Sequence, residues 1–258
     1  MTDFLGYFRY LYRLPWLLWH VVIDTPLAVL CQTRAGRAIR IGGRPLSDIA
    51  VRFWAATSCR IFGVRRNVSG AFRPGAQLVV ANHISWLDIV VLHSLEAVGF
   101  VAKAEIADWP VVGWLAKAGG TVFHRRGSHD SASGVANALT QRLGEDRMVA
   151  IFPEGGILPG EGVKRFHARM FGAAIETGVP VQPVMLRYFH DGKPFPEATF
   201  LPGEKTVKNF FRLLRHPGCL ADVHILPPID PAGRQRRELA GEAESRVRAA
   251  HESEGPGV

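Results

Sequence analysis

Six short runs rich in apolar and β-branched residues punctuate the chain: LVVA (78–81), FVAK (100–103), GTVFH (120–124), MVAIFP (148–153), VPVQPVML (179–186) and DVHIL (222–226). Between and after them lie helix-period stretches at 85–95, 110–118, 130–143, 166–177, 204–215 and 234–250. Continuous apolar strands alternating with helices imply an α/β domain whose sheet is covered on both faces. The expected fold is therefore a central, mostly parallel or mixed sheet flanked by helices. The 258 residues divide into an N-terminal segment and basic connector (1–46), the α/β domain (47–230, with its motif core at 77–189), and a charged C-terminal helix and tail (231–258). Ser47 is expected to cap a helix over DIAVRFWAATSCRIF, with Gly63 as its stop.

Charge is unevenly placed. Residues 1–66 carry ten Arg, no Lys, three Asp and no Glu, a net +7, while the other 192 residues net only +1. The same quarter holds ten of the 25 aromatics. Arg mixed with aromatics suits nucleic acid or an anionic membrane surface. Here the aromatics stand among Leu and Val, in FLGYFRYLYRLPWLLWHVV, which excludes nucleic acid and favours the lipid interface, with Arg9 and Arg13 reaching lipid phosphates. Pro15, His20, Asp24 and Pro26 interrupt the apolar stretch, so spanning, re-entrant and interfacial readings all stay open. More Arg at 34, 37, 40 and 44 follows the positive-inside pattern, so the α/β domain is expected on the cytoplasmic face of the membrane. No compact n-region, h-region and A-x-A site indicate a cleaved signal peptide. Cys31, Cys59 and Cys219 are odd in number and far apart, so neither a disulfide framework nor a metal knuckle is expected. The histidines form no ligand-spaced cluster, and no metal is expected.

The chemistry gathers at Asn82-His83-Ile84-Ser85-Trp86-Leu87-Asp88, directly after the run LVVA. Ser85-x-x-Asp88 resembles a capping box, so a helix begins near Ser85 with Asp88 in its first turn. His83 then stands at the mouth of the strand, the usual place for sites in open α/β sheets. On one regular helix, positions five apart point about 140° apart. The pair meets only if His83 precedes the helix and folds back. Asp88 can then accept from one imidazole N–H and leave the other nitrogen to take a proton. An imidazole, with an ordinary pKa of about 6.5, suits a general base at neutral pH.

Four blocks occur in order: NHISWLD (82–88), GGTVFHRR (119–126), FPEGG (152–156) and VPVQPV (179–184). With FVAKAEIADWPVVGWLAKAGG between the first two, they resemble the glycerolipid acyltransferase family, of which bacterial 1-acyl-glycerol-3-phosphate acyltransferase is the type. The resemblance covers roughly Gln77 to Phe189 and implies the glycerol-3-phosphate acyltransferase-like α/β fold. It implies that His83 is the general base acting on an acceptor hydroxyl and Asp88 its orienter. Arg126, in Gly120-x-x-Phe123-x-x-Arg126, would hold the acceptor's phosphate, with Arg125 able to share that role. Asn82, Ser85, Lys103, Phe123, Glu154 and Gly155 would contribute to substrate binding. Gly155 and Gly156 allow a tight turn whose N–H groups can face an anion. VPVQPV suggests strand packing and acyl-chain contact.

The implied activity is transfer of a fatty acyl group from acyl-CoA or acyl-carrier protein, as co-substrate and without a cofactor, to 1-acyl-glycerol-3-phosphate. The product is phosphatidic acid, made in phospholipid biosynthesis at the cytoplasmic face of a bacterial inner membrane. The third block departs from the family pattern, since Gly156-Ile157 replaces the usual hydroxyl and occasional Arg. That departure keeps open another lysolipid acceptor, such as a lyso-ornithine lipid. A non-catalytic lipid-binding member of the fold is the remaining alternative.

Overall fold

The apolar runs pair into one sheet because each is too hydrophobic to face water on either side. The structure, a computed structural model, describes residues 2–109, 112–124, 129–157 and 162–253. Its strands are β1 (Arg40–Ile41), β2 (Arg44–Pro45), β3 (Val64–Ser69), β4 (Leu78–Ala81), β5 (Gly99–Lys103), β6 (Val122–His124), β7 (Val149–Ile151), β8 (Val181–His190), β9 (Lys193–Pro194) and β10 (Cys219–Ile225). Its α-helices are α1 (Thr2–Trp19), α2 (Thr25–Leu30), α3 (Arg34–Ala38), α4 (Leu46–Ile61), α5 (Leu87–Leu95), α6 (Val112–Ala118), α7 (His129–Gly144), α8 (Gly172–Thr177), α9 (Thr206–Arg215) and α10 (Arg236–Glu252). A π-helical turn, His20–Asp24, joins α1 to α2.

The main sheet has the order β3-β10-β8-β4-β7-β5-β6, with β9 added to β8. From β8 to β6 every pairing is parallel. β10 runs against β8, and β3 runs parallel to β10. The expected mixed, mostly parallel sheet is thus what forms. Two cores cover its faces. One joins α4, α5 and α9 through Ile61, Leu92 and Leu214, and the other joins α7, α8 and α10 through Leu139, Ala174 and Leu239. The charged α10 buries Leu239, Ala240, Ala243 and Val247 and leaves its charges toward solvent.

Three local expectations are corrected. Residues 32–46 are not a plain connector: they form α3 and the β1–β2 hairpin. Ser47 does not cap α4, because the helix already starts at Leu46. The Ser47 side chain instead donates to Asp48, and its carbonyl accepts from Gln32. Arg13 does not reach for lipid. It is buried, and its guanidinium donates to the carbonyls of Leu214, His216 and Pro217 at the end of α9. One cation so placed satisfies the orphan carbonyls of a helix C-terminus and ties α1 to the domain.

No helix among the described residues is long and apolar enough to cross a membrane. α1 nevertheless turns Phe4, Phe8 and Leu11 to solvent, with Leu11 70% exposed. α2 adds Leu27 and Leu30 to the exposed apolar surface.

Candidate active site

Because β4, β7, β5 and β6 lie side by side and point the same way, the segments following them emerge at one edge of the sheet. That edge receives His83 after β4, Glu154 after β7, Lys103 at the end of β5, and the end of β6. Sites in parallel sheets gather at this edge because the loops there share one crevice.

His83 precedes α5 and folds back over its first turn. Its Nδ1 lies 2.8 Å from Asp88 Oδ2. The same Oδ2 accepts from the backbone N–H groups of Ile84 at 2.7 Å and Ser85 at 2.9 Å. The other oxygen, Oδ1, accepts from the Tyr188 hydroxyl at 2.7 Å. Asp88 is fully buried, and burying a carboxylate costs several kcal/mol. Four donors, each worth about 1.5–3 kcal/mol to a charged acceptor, offset that cost. Two of the four are main-chain N–H groups, so Oδ2 stays an acceptor and Nδ1 is the protonated nitrogen of the imidazole.

The imidazole lies flat on the Phe152 ring, with centroids 3.9 Å apart and planes 10° apart. Phe152 in turn stacks on Phe100. This fixes the ring plane as Asp88 fixes its rotation. Nε2 has no hydrogen-bond partner among the described residues, and the side chain keeps 13% exposure. A free basic nitrogen held in a fixed direction can take a proton from a bound hydroxyl.

Glu154 is buried and works as a clamp. Oε2 accepts from the His83 backbone N–H at 3.0 Å, and Oε1 accepts from the Lys164 backbone N–H at 2.8 Å. Burial pushes its pKa up, and the two N–H bonds oppose that. Its carboxylate therefore joins the loop after β7 to the loop after β4. Asn82, also buried, exchanges two hydrogen bonds with the backbone of Leu186. Ser85 is fully buried, and its hydroxyl accepts from Leu87 N–H at 3.3 Å. Asn82 and Ser85, expected from the sequence to touch substrate, are thus spent on holding the loop. The Gly155 N–H is likewise taken, by the Phe152 carbonyl at 3.1 Å, so it does not face an anion. Gly155 has φ +82°, which closes the turn and disfavours any residue with a Cβ.

Phe123 is half-buried on β6. Lys103 closes β5, and its side chain lies outside the described part of the structure. Arg125 and Arg126 lie outside the described residues. Tyr188 and Phe152 are the functional side chains that sequence reasoning did not single out. Phe152 stood inside the FPEGG block. Tyr188 carried no sequence signal, because its contact with Asp88 depends on β8 continuing past Leu186.

Two cysteines lie in the core near this edge. Burial pushes the Cys59 thiol up to about 11 and the Cys219 thiol up to about 12. Both stay protonated at neutral pH and are poor nucleophiles.

The chain is similar to known proteins in sequence and in fold. Residues 65–187 match the family named Acyltransferase. The lyso-ornithine lipid O-acyltransferase of Pseudomonas aeruginosa is 40% identical over 206 residues, 80% of each chain. The 1-acyl-sn-glycerol-3-phosphate acyltransferase of Neisseria gonorrhoeae is 34% identical over 147 residues, 57% of this chain and 54% of its own. The crystal structure of the 1-acyl-sn-glycerophosphate acyltransferase of Thermotoga maritima superposes over the whole of both chains with a TM-score of 0.75 at 21% identity, a likeness of fold.

Proposed function

The chain belongs to the acyltransferase family, and from that premise we propose that it transfers a fatty acyl group from a thioester donor to the free hydroxyl of a lyso-ornithine lipid. One observation carries the choice of acceptor: the similarity to the Pseudomonas protein runs through four-fifths of both chains. The third motif block supports it. Gly156 and Ile157 stand where the family pattern has a hydroxyl and an occasional Arg, so this site has fewer groups for a phosphate. Lysophosphatidic acid is the second reading, favoured by the Gly120-x-x-Phe123-x-x-Arg126 pattern.

In the proposed mechanism, His83 Nε2 accepts the proton of the acceptor hydroxyl as its oxygen attacks the thioester carbonyl. Asp88 stabilises the imidazolium so formed. The tetrahedral intermediate collapses with loss of the thiolate, which takes the proton back from Nε2. No acyl group is carried on the protein. Acyl-CoA and acyl-carrier protein both present the required thioester.

An acceptor panel assayed with both donors tests this reading. Lyso-ornithine lipid is expected to be acylated at a kcat/KM at least about tenfold above that of lysophosphatidic acid, a difference of ~1.4 kcal/mol in transition-state binding. The reverse order would move the assignment to the second reading.

The apolar face of α1 and α2 is the proposed membrane contact, set among arginines that suit anionic lipid. Removing the whole arm would also strip Arg13 from α9, so surface substitutions are the cleaner probe. Phe8→Asp with Leu11→Asp is expected to abolish flotation with anionic liposomes and to leave thermal unfolding unchanged. Flotation equal to wild type would place the membrane contact elsewhere, with Trp109 and Trp114 the next candidates.

A further inference from the structure

The carboxyl ends of α6 and α7 and the amino ends of β6 and β7 enclose a cavity of about 400 Å³. Four cations line it: Arg37 of α3, Lys117 of α6, Arg142 of α7, and Arg147 just before β7. Glu145 is the acid among its lining residues. The cavity lies at the opposite end of the sheet from His83. His83 follows β4, whereas Thr121 and Arg147 precede β6 and β7, which run in the same direction as β4.

Lys and Arg near helix C-termini often serve only as caps. Here the caps are already made by backbone. At the end of α6, Gly120 N–H bonds the Lys117 carbonyl and Thr121 N–H bonds that of Ala116. At the end of α7, Asp146 N–H bonds the Leu143 carbonyl and Arg147 N–H bonds that of Arg142. Both ends are closed Schellman-type turns, with Gly120 (φ +76°) and Asp146 (φ +57°) in the left-handed region. The four cationic side chains have no ion pair or hydrogen bond with another described residue, and Glu145 accepts from Gln141. The Arg142 guanidinium lies over Gly120, where an added Cβ would collide with it. Burial and the neighbouring Arg147 hold the Arg142 pKa below its ordinary value, Arg37 adds to this, and Glu145 opposes it.

We propose that this cavity binds a phosphate-class oxyanion, supplied by an anionic lipid headgroup or by a free phosphate ester, at a site separate from the acyl-transfer centre. The charge balance fits. With Glu145 and two helix C-termini of about −0.5 each, the four cations leave a net charge of about +2. A phosphate monoester carries about −1.5 to −2 at neutral pH, and guanidinium groups bind such oxygens in a fork. The lipid source is within reach, because α2, with exposed Leu27 and Leu30, packs against α6, whose Trp114 is also exposed.

The test compares the full-length protein with Arg142→Gln/Arg147→Gln, and with a control of equal charge change on the exposed start of α10, Arg236→Gln/Arg237→Gln. Without ligand, the cavity variant is expected to unfold at the wild-type temperature or above it, because like charges have been removed. A capping or packing role would instead lower that temperature and overturn the proposal. Binding is then measured calorimetrically with inorganic phosphate, and by co-sedimentation with phosphatidylcholine vesicles with and without phosphatidylglycerol. The cavity variant is expected to bind at least about tenfold more weakly than wild type in one of these arms, the equivalent of one lost charge-assisted hydrogen bond. The control is expected to change little. Loss in the phosphate arm identifies a free phosphate ester, and loss only in the phosphatidylglycerol arm identifies a lipid headgroup. Equal binding by all three proteins in both arms, or an equal loss in the control, overturns the proposal.

Discussion

The His83→Ala variant is expected to lose about 10²–10⁴-fold in kcat, the usual range for a missing general base, while keeping its fold. The loss follows from Nε2 being the free basic nitrogen at the carboxyl edge of the sheet. The fold survives because the His83 backbone N–H, not its side chain, holds Glu154. Asp88 keeps three of its four donors when the imidazole is removed. Steady-state turnover alongside thermal unfolding checks both halves. Turnover within a few-fold of wild type in a folded variant would remove His83 from the mechanism.

Asp88→Asn is expected to reduce kcat by about 10²–10³-fold, chiefly by removing the charge that stabilises the imidazolium. The geometry should hold. Three N–H donors converge on the Oδ2 position, which directs the amide oxygen there and the amide nitrogen toward Tyr188, whose hydroxyl can turn to accept. The Nδ1-protonated tautomer is thereby kept, so the variant separates charge from orientation. Steady-state turnover measured beside thermal unfolding reads the difference. Wild-type turnover in the folded variant would mean that Asp88 serves only to shape the loop.

Much of the architecture was legible because the signals were local. LVVA, FVAK and VPVQPVML are apolar throughout, as strands covered on both faces must be, and β4, β5 and β8 form at those places. β3 was missed for the opposite reason. It is an edge strand reading VRRNVS, with mostly exposed side chains, and it carries no apolar run to betray it. The hairpin at 40–45 was hidden in a basic, Gly-rich stretch for the same reason. In the site, the offset between His83 and Asp88 could be read because both fall within one loop and one helical turn. The work of Asn82, Glu154 and Tyr188 could not. Asn82 acts on Leu186, Glu154 on His83, and Tyr188 on Asp88, each across roughly 70 residues or more. Only the strand order β8-β4-β7 brings these segments together. Arg13 shows the limit of charge patterning, since a cation in an aromatic helix served a buried helix end and not lipid.

Direct transfer by a base is the central claim, and thiol release by the wild-type protein at high concentration tests it most directly. With acyl thioester and no acceptor, thiol release is expected to stay well below one equivalent per chain, and intact-mass spectra should show no acylated protein. Adding lyso-ornithine lipid should release thiol and form acylated lipid in equal amounts. A rapid burst of one thiol per chain without acceptor, with the mass of one acyl group on the protein, would contradict the account and require a nucleophile on the protein itself.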